Sequence, residues 1–130
     1  MTKINAAAHF FNHFKMATNK KRLCYDVHIT KRSKQLLQIF YQLNMIRRYS
    51  KSPNNVYRVY PTYSIYRSRV RYIRTFFRSG HDVLVPIFML RLFTRVRPFS
   101  HLILETNKGI LTHAKALEYG LSGKLIMIIH

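Results

Sequence analysis

The side chains able to do chemistry are few, and their spacing speaks against catalysis. The acids are Asp26, Asp82, Glu105 and Glu118. No two form a spaced pair, whereas two-metal chemistry needs clustered carboxylates. Cys24 is the single cysteine, which excludes a disulfide framework and a cysteine zinc site. Its expected place is a strand, as a small apolar residue. The histidines are scattered, and His9 and His13 form the one i, i+4 pair expected on a helix. That pair could ligate a metal, but no acid or cysteine lies near it in sequence. No catalytic residue, metal or cofactor is expected, and no small-molecule substrate.

What remains is hydrogen-bonding chemistry. The stretch ETNKGILTHAKALEYGLSGK, Glu105 to Lys124, holds two polar loops that contain glycine. Thr106-Asn107-Lys108-Gly109 is the first and Ser122-Gly123-Lys124 the second. They offer hydroxyls, an amide, backbone N–H groups and one lysine each. These are the groups that meet sugar 2′-hydroxyls, phosphates and base edges. Gly109 and Gly123 would let backbone approach a ligand closely. The same spacing also suits an ordinary strand–turn–helix–turn–strand unit with no ligand at all.

The charge balance favours a ligand. Lys and Arg total 23 against 4 Asp and Glu, a formal net charge of +19 in 130 residues. Small domains ordinarily carry a net charge of about 2–8 in magnitude. A surplus of this size points to a polyanion, either nucleic acid or an anionic membrane surface. With 48% apolar residues the chain has enough for a core. Its most apolar run, Val83 to Phe93, is too short for a membrane span and is broken by Pro86 and Arg91. The alternative to RNA binding is therefore a basic module on an anionic membrane surface, with that run as its insert.

The elements that would position the loops can be read along the chain. Ile4, Ala8, Phe11 and Phe14 recur at helical spacing, with Thr2 or Asn5 as cap. Asn19 to Arg22 is a polar break, and Leu23 to Val27 suits a short strand with Leu23, Tyr25 and Val27 on one face. A second helix follows Thr30, with Leu36, Leu37, Phe40 and Leu43 as its stripe and Asn44 as its left-handed end. Lys31, Arg32 and Lys34 load its first turn against the helix dipole, either facing phosphate or merely solvated.

Strands follow from Met45, with a turn at Ser52 to Asn55. Tyr57, Val59, Tyr63 and Ile65 share one face of the next strand; Arg58, Tyr60, Thr62 and Tyr66 share the other. Pro61 demands an edge strand or a bulge. Tyr and Arg interleave from Tyr57 to Arg78. The tyrosines suit strand packing, and the arginines suit an RNA-facing surface. A further strand runs from about Arg71 to Phe77 and stops at Ser79-Gly80. Val83 to Phe99 reads as one strand followed by a loop or short helix, and Leu102 to Leu104 as a buried strand. Thr112 caps a short helix, Gly120 ends it, and Lys124 to Ile129 form a final strand. The two loops would lie side by side if the strands at Leu102 and Lys124 are neighbours.

At these residues the sequence resembles a known family. The Glu105–Lys124 stretch, followed by an apolar strand, is similar to the C-terminal signature of the eighth protein of the small ribosomal subunit (the S8 family). That signature has a Ser-Thr-Ser-Lys-Gly loop, a Thr helix start, a Gly near the helix end and a Gly-Gly-Glu turn into the last strand. Thr106, Lys108 and Gly109 keep the loop pattern, while Lys124 stands in place of the acid. NAAAHFFNHFKMA (Asn5 to Ala17) resembles the family's first helix, with His13 and Lys15 at its basic positions. Thr30-Lys31 matches the Ser-Lys that opens the second helix, and LLQIFYQLNMIRRY (Leu36 to Tyr49) follows on, with Asn44 replacing Gly. IRTFFRSG (Ile73 to Gly80) resembles the strand that ends in Arg-Pro-Gly.

The resemblance implies an α+β fold of two small α/β subdomains. Residues 1–68 would be α-β-α-β-β, and residues 69–130 mostly β with a short helix. It implies a structural protein that binds a helical region of the central domain of small-subunit rRNA and helps that domain assemble. Thr106, Asn107, Lys108, Gly109, Ser122, Gly123 and Lys124 would contact RNA, with Lys15 and Lys31 on backbone. Neighbouring small-subunit ribosomal proteins would be partners, with the arginine-dotted run at Val83 to Phe99 as a contact. Few acids and many Tyr, Phe, Ile, Asn and Lys suggest an AT-rich organellar gene. MTKINAAAHFFNHFK has some transit-peptide character but no Arg. The family's first helix begins almost at Met1, which leaves little room for a presequence. A mitochondrial ribosome is expected, with a plastid as runner-up.

Overall fold

A computed structural model describes residues 3–63, 73–76, 83–98 and 100–129. The fold is α+β, with four helices and two antiparallel sheets among the described residues. The chain divides into two compact units, residues 1–69 and 70–130. Thr2, Ile65, Tyr66, Arg71 and the Ser79-Gly80 stop lie outside the described residues.

Unit 1 begins with helix α1 (Lys3–Asn19). Asn5 lies inside this helix and does not cap it. The buried side is broader than a single stripe and comprises Ala6, Ala7, Phe10, Phe11, Phe14 and Ala17. Lys21, with φ 53°, then turns the chain, and Arg22 N–H closes onto Ala17 C=O at 3.0 Å. That turn leaves Leu23 outside the sheet and 83% exposed, so strand β1 is Tyr25–His28 and starts two residues later than alternation suggests. Cys24 precedes the strand and is half-buried.

Helix α2 (Lys31–Gln42) starts at Thr30, whose Oγ1 accepts from Ser33 N–H at 3.3 Å, and Asn44 has the left-handed φ of 61°. Ser33 Oγ in turn donates to Ala6 C=O at 3.3 Å, a contact allowed by small side chains where α1 and α2 meet. Phe40 packs edge-on against Phe10 and Phe14, with centroids 5.4 and 5.0 Å away.

Strands β2 (Ile46–Lys51) and β3 (Val56–Pro61) flank a 3-10 turn at Pro53–Asn55. The sheet order is β1-β3-β2, so β3 is central. Pro61 therefore does not mark an edge strand. It sits at the end of β3, where the register with β2 shifts between Ile46 and Arg48, and the bulge reading holds.

Unit 2 is a five-stranded sheet: β4 (Ile73–Thr75), β5 (Leu84–Val85), β6 (His101–Thr106), β7 (Gly109–Thr112) and β8 (Gly123–Ile129). Its path is β4-β8-β6-β7, with β5 also pairing β8. Helix α3 (Ile87–Val96) is a full ten-residue helix, and α4 (His113–Tyr119) is the shorter one. Of the loop or short helix expected within Val83 to Phe99, the structure has the helix, so the described residues of unit 2 include two helices. Leu90, Leu102, Leu104, Ala116 and Leu125 form one buried cluster of this unit, with Phe93 and Leu117 packed against them.

Candidate nucleic-acid interface

Strand β6 ends in a hairpin, and one side chain closes the turn. Thr106 Oγ1 donates to Gly109 C=O at 2.9 Å and accepts from Lys108 N–H at 3.2 Å. Gly109 has φ 97°, where a side chain is strained. Asn107 and Lys108 are left at the exposed tip. Lys108 Nζ lies 4.6 Å from the centroid of the Tyr119 ring. A cation over an aromatic face is held electrostatically, so the lysine has a preferred seat. Tyr119 is not apparent from the sequence, because strand β7 and most of helix α4 lie between it and Lys108.

The second loop is shaped by the end of α4. Thr112 Oγ1 caps the helix, accepting from Lys115 N–H at 3.4 Å. Gly120 is left-handed (φ 68°); its N–H donates to Leu117 C=O and that of Leu121 to Ala116 C=O, a Schellman closure. The chain then passes through exposed Ser122 into β8.

Pairing of β6 with β8 brings the loops together. Glu105 stands opposite Lys124, and Leu104 opposite Leu125. The approach at Gly123 is tight: a Cβ there would lie 2.8 Å from Glu105 O and 2.9 Å from Thr106 Cγ2. A groove of about 370 Å³ results, lined by Glu105, Thr106, Asn107, Ser122, Gly123 and Lys124, with Leu84, Val85 and Pro86 beyond. All seven loop residues expected to act together therefore fall on one hairpin and the neighbouring strand entry.

Lys15, on α1, and Lys31, the first residue of α2, belong to unit 1, and both are exposed. The Tyr and Arg of β3 are tied into that unit. Tyr57 is buried, and Tyr60 carries the Arg48 guanidinium 4.3 Å from its centroid. Arg58 pairs with Asp26 at 3.0 Å. Tyr63, just beyond β3, donates to Arg22 C=O at 2.8 Å. His9 and His13 stack edge-on at 4.5 Å, and no group of three ligating side chains occurs among the described residues. Burial and neighbouring His9 push the His13 pKa down.

Two compact units, a net charge of +19 and paired hydrogen-bonding turns define a basic protein suited to meet a polyanion. The family profile Ribosomal protein S8 matches residues 5–130, so the chain belongs to the ribosomal protein S8 family. It is a small-subunit ribosomal protein that binds rRNA, in a family of structural proteins and not of enzymes. A search of curated proteins gave no match. No helix among the described residues is long and apolar enough to cross a membrane.

Proposed function

We propose that the paired turns of unit 2 are the principal rRNA contact, and that their target is a helical region of the central domain, whose assembly this binding supports. The observation that carries this is the β6–β8 register, which sets Thr106–Gly109 beside Ser122–Lys124. Asn107 and Ser122 supply donors and acceptors for 2′-hydroxyls and base edges; Lys108 and Lys124 supply charge for phosphate. Thr106, Gly109 and Gly123 hold the shape and present backbone. Lys15 and Lys31 add phosphate contacts from unit 1. The ribosome is mitochondrial in this reading, supported by a composition of 9 Tyr, 9 Phe and 4 acids, the bias of an AT-rich organellar gene.

Filter binding to a central-domain rRNA fragment tests the RNA reading. Affinity should fall steeply across a salt series, because each neutralised phosphate releases counterions. Asn107→Ala with Ser122→Ala should weaken binding to the cognate helix more than to unrelated duplex. A flat salt response, or equal loss on both RNAs, would count against the patch. Fractionation tests the location: recovery with cytosolic or plastid subunits would overturn the mitochondrial assignment.

A further inference from the structure

Helix α3 is satisfied on one side only. Leu90 is fully buried, and Phe93 packs against the core of unit 2. The other side carries Phe88, Leu92 and Val96, which are 67%, 54% and 65% exposed. Spaced four apart, they stack in one line of about 12 Å at the helical rise. Arg91 and Arg95 form a second exposed line, roughly 80° round the helix from the first at 3.6 residues per turn. No ion pair holds either arginine among the described residues. A contiguous row of large apolar side chains in water marks an interaction surface.

We propose that this ridge docks an amphipathic helix of a partner protein. The partner's apolar line would lie along Phe88, Leu92 and Val96, and its Asp or Glu side chains would face Arg91 and Arg95. Charge complementarity selects this occupant. A second copy of the chain has only 4 acids against 23 cations, so it supplies little to oppose the arginines. An RNA backbone would satisfy the arginines but leave the apolar line without a partner. A lipid surface favours cationic groups on both flanks of an apolar stripe, where they snorkel. Here the arginines run along one flank, while the other flank leads to Phe93 and the core. An acidic helix with one apolar edge matches both lines at once. The proposal is independent of which rRNA groups the turns of unit 2 read.

The test places a photocrosslinking residue, p-benzoylphenylalanine, at Leu92 of the full chain assembled into small subunits. Irradiation should attach it to a protein segment that carries acids alongside an apolar helical line. Adding Arg91→Glu and Arg95→Glu should lower the yield on the order of tenfold, because like charges then face each other. The same photolabel at Phe88 should give the same segment, and it serves as the readout if the Leu92 variant is not incorporated. Attachment to rRNA or to lipid, to a segment without acids, or to no macromolecule from either position overturns the proposal. So does a yield that charge reversal leaves unchanged.

Discussion

Single atoms set the geometry of the paired turns. Gly123 passes so close to β6 that even a methyl group must displace backbone. Gly123→Ala should therefore cost about 1–3 kcal/mol, the usual range for overpacking, measured by urea denaturation. Gly120→Ala is the informative contrast. Nothing lies within 4 Å of the added carbon, so the loss comes from the left-handed backbone alone. About 1 kcal/mol is expected there, with RNA affinity unchanged. Lys108→Ala should reduce the slope of log affinity against log salt by about 1. Tyr119→Ala should weaken binding less and leave that slope intact, since the charge remains.

His113 gives a residue-level prediction in pH. Its Nδ1 accepts from Leu102 N–H at 3.2 Å, and burial, then neighbouring His101, lower its pKa below the ordinary 6.5. A depressed folded pKa means that the unfolded chain takes up the proton first. The stabilisation is thus complete above pH 6.5 and is lost as pH falls from there through the folded value. Burial lowers the His101 pKa as well, with the same sign. Thermal stability of the wild type should fall as pH drops below 6.5, and His113→Gln should flatten that dependence.

At the scale of elements, caps were the most readable feature. Thr30 and Thr112 start their helices, and Asn44 and Gly120 supply the left-handed stops, because each role requires a particular side chain or its absence. Thr112→Ala should cost ~1 kcal/mol, the usual value of an N-cap, and it should loosen the second loop through α4. The two strands flanking that short helix were legible as apolar runs, whereas their pairing stood only as a condition that the β6–β8 register meets. Three features were hidden for physical reasons. Strand β7 fits four residues between a turn glycine and a helix cap, too few to show alternation. A short helix was one of two readings of Val83 to Phe99, and its choice over a loop was not legible, because α3 carries large apolar residues on its exposed side as well as on its packed side. Leu23 alternates correctly with Tyr25 and Val27, yet the turn at Lys21 keeps it out of the sheet.

At the scale of the molecule, charge and topology act separately. The excess of cations drives association with rRNA whatever the local fit, so raising salt should weaken wild type and loop variants together. Topology decides when the fitted surface exists. Strand β8 pairs with β4 and β5 on one edge and with β6 on the other, so it is the spine of unit 2 although it follows every other strand described. During translation, the strands described in unit 1 are complete long before residues 123–129 leave the exit tunnel. A nascent chain arrested at residue 122 would hold a protease-resistant first half and an open second half. The paired turns proposed for RNA contact would then form only once residues 123–129 are clear of the tunnel and pair with β6.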